Sequence, residues 1–388
     1  MDHLIRGRVP TYDSLYLFQS SNQLREEMKV LYQPLKWIDA VAGFELRFSN
    51  IQGDYTSSTK NNAEQSGAPS TVIEGGNNFF SRDIGLYAQT GISIINHLKM
   101  TLGLRYDNNL VRENEGYGNV FNPRIAFVYS LKGYIVKAIY AEAFKDATNR
   151  EKYSTAAGKR ELPNPLLKPE KVKNYEFSIG KTIDELVSLE AAAYFSQYSN
   201  IIQEVRVERA DGTFTNQNQA KGQAEVFGIN AMANLKWKDL SCYLNYTYTK
   251  PYTIKPTDSQ DNPLLDPNGN PYDKLRISDI SNHKINLGVN YFFKEVLNIN
   301  LRTNIVGKRL TGVNTTVPLN LDTFDPYLIF NGALTYSHKK TGLTAQFTIF
   351  NILNTEYFSP GLDQVTAELA SSLKQNGRNM YLSIFYEF

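Results

Sequence analysis

No stretch of 18 consecutive apolar residues occurs in this chain of 388, so no helix of it is apolar enough to cross a membrane. Cysteine is nearly absent: the single Cys242 excludes a disulfide framework within the chain. Neither charge dominates. Lys and Arg number 41 against 39 Asp and Glu, a formal net charge of +2, and the basic residues are spread evenly, which leaves no nucleic-acid footprint. The first residues lack the basic start and apolar run of a secretory leader, since Asp2, Arg6, Arg8, Pro10 and Asp13 interrupt them. If the protein is exported, the expectation is a mature form or a fragment. There is no Gly-rich phosphate loop, no nucleophile elbow and no paired-cysteine metal spacing. These absences point away from an enzyme and imply no catalytic residue, cofactor or resident metal.

What the chain does have is aromatic residues, with 25 Tyr and 21 Phe against 5 Met and 2 Trp. Aromatic side chains favour strands, and Tyr suits a lipid–water boundary. Alternation is clear. Leu98, Met100, Leu102, Leu104 and Tyr106 alternate with Lys99, Thr101, Gly103 and Arg105. Ile285, Leu287, Val289, Tyr291 and Phe293 alternate with Lys284, Asn286, Gly288 and Asn290, and Leu297, Ile299, Leu301 and Ile305 with Asn298, Asn300, Arg302 and Asn304. Successive strand side chains point to opposite faces, so each segment has one apolar and one polar face.

About fifteen such segments run from 24–33 to 377–388, and a sixteenth is expected in 8–19. Many exceed ten residues, enough to cross a bilayer at a tilt. Short turns at 33–37, 95–97, 132–133, 184–185, 238–239, 294–295 and 339–341 alternate with longer joins. The joins fall at 53–80, 112–121, 147–170, 209–218, 256–280, 312–325 and 356–376. Short turns on one side and long loops on the other are the arrangement of outer-membrane barrels, whereas a soluble sandwich has no reason to sort its loops. The reading is an all-β, antiparallel transmembrane β-barrel, closed because lipid cannot satisfy an open strand edge. Residues 1–23 stand apart as an N-terminal segment with room for one strand, and 24–388 form the barrel domain.

Particular residues then carry a resemblance. Asn122-Pro123-Arg124-Ile125-Ala126 is followed by Tyr140-Ala141-Glu142-Ala143-Phe144. Next come Asn164-Pro165-Leu166-Leu167-Lys168-Pro169-Glu170 and Asn174-Tyr175-Glu176, then Ala193-Tyr194-Phe195, Ile201-Ile202 and Phe227-Gly228-Ile229. Asn282-His283-Lys284 opens a strand, and Phe350-Asn351-Ile352-Leu353-Asn354-Thr355-Glu356-Tyr357 precedes an amphipathic end at Leu382, Ile384, Tyr386 and Phe388. In this order, across roughly 80–388, they resemble the carboxy-terminal part of a TonB-dependent receptor, an active transporter of the Gram-negative outer membrane. The resemblance implies a family barrel of about 22 strands with a plugged lumen, of which 15–16 lie here, without the plug or the TonB-contacting box. It implies import of a scarce ligand (a metal chelate, a corrinoid or a glycan) energised by TonB through the missing plug, with outer-membrane lipid as the other partner. The alternative is a passive porin of about 16 strands, complete in itself.

No substrate-binding residue is readable. His3, His97, His283 and His338 are scattered and read as surface or interfacial residues. Asp266-Pro267-Asn268-Gly269-Asn270-Pro271-Tyr272-Asp273 spaces oxygens as calcium loops do, but Pro271 and Ile277 stand where Gly and Glu belong, so it reads as turns. Tyr55, Phe79, Phe80, Tyr117, Tyr153, Phe214, Phe324 and Phe358 are candidates for an outward ligand surface or for interface anchors. Leu362, Val365, Leu369 and Leu373 fall at helical spacing and predict a short helix within 363–375, capped by Asp363. The terminal Phe388 resembles the signal read by the outer-membrane assembly machinery.

Overall fold

The computed structural model describes residues 3–6, 16–57, 78–111, 115–148, 151–152, 162, 164–310, 323–338, 340–360 and 372–387. Among these the regular elements are strands, beside a helical turn at Glu151–Lys152. The strands are β1 (His3–Arg6), β2 (Tyr16–Leu35), β3 (Ile38–Ser57), β4 (Asn78–Ile95), β5 (Leu98–Val111), β6 (Glu115–Leu131) and β7 (Tyr134–Lys145). There follow β8 (Glu170–Ile183), β9 (Val187–Glu208), β10 (Phe214–Trp237), β11 (Leu240–Ile254), β12 (Lys274–Arg276), β13 (His283–Phe293) and β14 (Leu297–Val306). The last are β15 (Arg309–Leu310), β16 (Thr323–Phe324), β17 (Tyr327–His338), β18 (Leu343–Phe350), β19 (Phe358–Pro360), β20 (Ser372–Lys374) and β21 (Asn379–Tyr386). Each long strand pairs antiparallel with the next one in the chain, from β2–β3 to β18–β21, and β1 adds to the outer edge of β2. The result is one up-and-down meander.

Register sorts the side chains onto two faces. Leu102 on β5 lies opposite Thr90 and Ile125, and Leu287 on β13 lies opposite Leu244 and Thr303, so the apolar sets of successive strands share one face. That face is the exposed one: Leu104 is 51% exposed and Leu287 42%. Aromatic rings border it at both ends. Near the long loops, Phe48 meets Phe80, Tyr106 meets Phe121, and Tyr140 meets Tyr175 at 5.0 Å. Near the short turns stand Tyr129, Tyr134, Trp237 and Phe293. On β10 the interval from Phe227 to Trp237 spans about 33 Å of strand, or about 25 Å along the membrane normal at a tilt of ~40°. That height matches the apolar band of an outer-membrane barrel. This is an outer-membrane protein turned inside out relative to a soluble fold, with its large apolar side chains outward.

The short turns are under backbone strain. Asp184 and Glu185 have φ of 46° and 56°, and Lys294 and Glu295 have 48° and 57°. The amides of Leu186 and Val296 close these two-residue loops at 2.9 and 3.2 Å. Positive φ at both central positions is the type I′ geometry, which matches strand twist but favours Asn-Gly. Each non-glycine residue there costs about 1–2 kcal/mol. We expect Lys294→Asn with Glu295→Gly to stabilise the β13–β14 hairpin by about 1 kcal/mol, read as a higher urea midpoint for the membrane-inserted protein. An unchanged or lower midpoint rejects the account.

Four expectations need correction. The joins at 112–121 and 209–218 are partly strand: β6 begins at Glu115, and β9 and β10 pair from Phe214↔Glu208 inward with bulges around Gly222, because these strands continue beyond the membrane. Residues 16–19 of the proposed sixteenth strand belong to β2, which also runs through the boundary set at 23–24, and 7–15 lie outside the described residues. Ser372–Lys374 is extended rather than helical, pairing with Phe358–Pro360, and Leu373 is 53% exposed. Cross-strand hydrogen bonds there outcompete a helix of about three turns, which alone is marginal in water. The rest of that predicted helix (363–371) lies outside the described residues, as does Phe388. Finally, no pairing that closes the sheet occurs among the described residues, where β21 pairs with β18 alone. On β21 Leu382 is 68% and Ile384 66% exposed, and Leu31 on β2 is 75% exposed.

Candidate functional site

The polar face becomes the inner wall of this curved sheet, and its two halves differ in chemistry. On β2–β5 it is ionic. Register sets Arg25 opposite Arg47 and Glu27 opposite Glu45, which would repel if the pairs faced squarely. The side chains instead pair diagonally. Arg25 Nε reaches Glu45 at 2.9 Å, and Arg105 Nη2 reaches the other Glu45 oxygen at 3.3 Å. Arg105 also donates from Nε to both oxygens of Asp107 at 2.9 Å. Arg47 pairs with Asp83 at 3.2 Å, and the Asn109 amide donates to Asp83 at 2.7 Å. Tyr87 donates to Glu27 at 3.4 Å. Gly85, opposite Asp107, leaves room for the Arg105 guanidinium, which a Cβ there would approach to 2.7 Å.

On β13–β18 the wall is mostly amide and hydroxyl, with Lys284 and Arg302 also on it. Asn304 donates to Asn286 at 2.6 Å and Asn300 to Asn290 at 3.2 Å, each across one directly paired position. Gln346 donates to Thr335 at 3.2 Å. One device recurs on both halves: a glycine opposite a tyrosine whose ring lies over it, at Gly43/Tyr87, Gly228/Tyr194 and Gly288/Tyr243. A Cβ on Gly288 would fall inside the Tyr243 ring. The rings thereby lie along the wall and keep the lumen open. The arginines of these pairs are about half exposed while the carboxylates are sheltered; solvent screening keeps each pair's contribution modest, so the ionic wall shapes the lumen's potential more than it holds the fold.

At the long-loop end one pair is sequestered. Lys152 is 1% exposed, with Nζ 2.8 Å from Asp146 and 5.8 Å from the Tyr117 ring centre. Burial pushes the Asp146 carboxyl above its ordinary range, and Lys152 pulls the other way. The sequence candidates are not gathered into one surface. Phe80 joins the outer aromatic border against Phe48, Tyr117 packs on Phe144 at 5.2 Å, and exposed Phe214 lies under Arg206. Phe324 is buried under Arg309, whose Nη2 donates to the Phe358 carbonyl at 2.7 Å. Tyr55 and Phe79 lie in β3 and β4, and Tyr153 is outside the described residues. His283 bonds Tyr246 at 2.9 Å, His338 bonds Thr341 at 2.8 Å, His97 sits in a turn and His3 in β1.

The loop 256–280 contains two copies of one turn. Asp258 accepts the amides of Gln260 and Asn262 at 2.8 and 2.9 Å, and Asp266 those of Asn268 and Asn270 at 2.9 and 2.8 Å. The Asp266 carboxylate thus organises a turn, as the turn reading has it. These amides hold both carboxyls below their ordinary value of 3.8. A lowered folded-state pKa means the turns are fully supported above the ordinary carboxylate range and lose that support as pH falls through the lowered value. We expect the Asn262 and Asn270 amide resonances to titrate together with midpoints below 3.8. Midpoints at or above that value contradict the bonding.

The ionic ladder escaped the sequence reading, although its signal was present. Arg25/Glu27, Glu45/Arg47 and Arg105/Asp107 each set opposite charges two residues apart, on the same face of a strand.

Compared with known proteins, residues 7–352 match the family model described as TonB dependent receptor-like, beta-barrel. No curated protein sequence matches. Among solved structures, the chain is similar to the FrpB iron transporter from Neisseria meningitidis (F3-3 variant), with TM-score 0.70 at 15% identity over 96% of this chain and 56% of that one. It is similar to the siderophore receptor PirA from Acinetobacter baumannii, with TM-score 0.69 at 16% identity over 98% and 56%. A mutant of the ferric enterobactin receptor PfeA from Pseudomonas aeruginosa gives TM-score 0.68 at 16% identity over 99% and 60%. The chain therefore spans little more than half the length of these receptors.

Proposed function

Because the chain belongs to the TonB-dependent receptor family, we propose that it forms the greater part of the barrel wall of an outer-membrane receptor that imports a scarce ligand with energy delivered by TonB. The family match over 7–352 is the observation that carries this. The barrel domain, set at 24–388 from the sequence, would then begin earlier, with β2 at Tyr16. Among the described residues, the edge of β2 beyond its pairing with β1 and the outer edge of β21 are where further strands of a longer receptor would pair, since lipid leaves unpaired backbone groups unsatisfied. The polar, partly ionic inner wall suits a lumen filled by a folded polar plug, through which TonB would act. We take an iron chelate as the ligand to test first, as the named solved relatives handle iron, ferric enterobactin or a siderophore.

The test is uptake of radio-iron-loaded siderophores by cells making the full-length receptor, with and without an energised inner membrane. Uptake that saturates and stops on de-energising supports the proposal. Flux that continues unchanged supports the porin alternative and overturns it. Uptake of no iron chelate, with energised uptake of a corrinoid or glycan, retains the receptor and rejects iron.

A further inference from the structure

The lipid-facing surface is not uniform. On β3 and β4, Ala40, Ala42, Ala88 and Thr90 form a block of small residues, because register sets Ala42 opposite Ala88 and Ala40 opposite Thr90. Larger side chains frame it: Val30 and Tyr32 on β2 at one side, Leu104 and Leu102 on β5 at the other. The next row toward the long loops holds Met28, Phe44, Leu86 and Tyr106, and the next row toward the short turns holds Ile38, Ile92 and Met100. The result is a bounded hollow of about 730 Å³ within the apolar band. A void among apolar side chains loses contact energy until something apolar fills it, and between the aromatic borders acyl chains are what surrounds the protein.

The hollow lies nearer the short turns, about five residues of strand from Ile95 and so about 13 Å along the normal at the tilt used above. The turns of the three hairpins that carry it hold Lys36-Trp37, Asn96-His97 and Lys132-Gly133, with no carboxylate among them. The next three hairpins each have at least one, at Asp184-Glu185, Lys238-Asp239 and Lys294-Glu295. Lys181 adds a cation beside the third turn, its Nζ bonded to the Lys132 carbonyl at 2.7 Å. We propose that the hollow holds an acyl chain of one anionic phospholipid of the short-turn leaflet, whose headgroup is drawn to the carboxylate-free row of turns that carries Lys36, His97 and Lys132. The inference rests on the outer-membrane reading of this face.

The test uses the full-length receptor in nanodiscs of equal phosphatidylglycerol and phosphatidylethanolamine, followed by mild delipidation and native mass spectrometry. The wild type should keep one phosphatidylglycerol. Filling the hollow with Ala42→Leu and Ala88→Leu should lower retention roughly tenfold, the contact of about two methylenes. Ala40→Leu, in the other row, is the second variant should the first fail to assemble. Ala231→Leu, outward on β10, should retain lipid as the wild type does. Lys36→Gln with Lys132→Gln should keep a lipid but lose the preference for phosphatidylglycerol. No retained lipid in the wild type, equal retention in the filled variants, equal loss in Ala231→Leu, an undiminished preference without the lysines, or a bound protein in place of lipid each overturns the proposal. Failure of the wild type to enter nanodiscs at all would instead sink the membrane reading beneath it.

Discussion

Arginine in place of Leu287 is expected to destabilise the membrane-inserted protein by about 2–4 kcal/mol, while arginine at the adjacent Asn286 changes stability by less than about 0.5 kcal/mol. The two positions are neighbours in sequence and differ only in face. Leu287 lies midway along β13 between His283 and Tyr291, both in the aromatic borders, so its side chain sits near the centre of the apolar band. A guanidinium there has neither water nor a carboxylate within reach. Asn286 faces inward against Asn304, where water and amide oxygens accept a cation. Refolding each full-length variant into lipid vesicles and titrating with urea measures the difference. Equal losses at the two positions would show the face assignment to be wrong, and with it the lumenal placement of the ionic ladder.

The second large effect belongs to the sequestered pair. Asp146→Asn leaves the Lys152 ammonium, 1% exposed, with no carboxylate partner among the described residues. Removing one partner of a buried pair costs about 3–5 kcal/mol, mostly as the desolvation of the charge left behind. The Tyr117 ring at 5.8 Å offsets little of this. The loss should be local. The Asn164 amide donates to the Lys152 carbonyl at 2.8 Å, and the Asn218 side chain donates to the Glu151 carbonyl at 3.0 Å. Hydrogen exchange at Asn164 should therefore quicken by at least about a hundredfold, as a loss near 3 kcal/mol requires. Adding Lys152→Met to Asp146→Asn removes the stranded charge and should restore most of the protection. Unchanged exchange in the single variant, or no recovery in the double one, defeats the argument.

Period-two alternation and the sorting of short turns from long joins are both visible residue by residue. They were enough to place Leu104 and Leu287 toward lipid, Asn286 and Asn300 inward, and Lys132-Gly133 in a tight turn. Strand ends were less legible. The stretch 209–218 carries Gly212 and polar residues that read as loop, yet Phe214–Trp237 is continuous strand, because pairing with β9 satisfies its backbone beyond the membrane. The Leu stripe at 362–373 has helical spacing, but at Ser372–Lys374 backbone pairing with Phe358–Pro360 prevails. None of the eight aromatics chosen as a possible ligand surface signalled its own depth. Phe80 and Phe324 both stand near the end of a long join, yet one is 56% exposed in the aromatic border and the other is buried under Arg309.

By itself the sequence determined which side of each strand is apolar, which end of the sheet carries the short turns, and the family to which the barrel belongs. All of these are properties of residues within one strand or one connection, and a period of two reports them without reference to any neighbour. The tertiary structure alone decided the diagonal ladder from Arg25 to Asp107, the rings of Tyr87, Tyr194 and Tyr243 seated on glycines, the small-residue hollow, and the pairing of β21 with β18. Each depends on which residue of one strand stands beside which residue of the next. That register is set by the hydrogen-bonded pairing of whole strands, and the alternation of any single strand is unchanged when its partner slides by two residues.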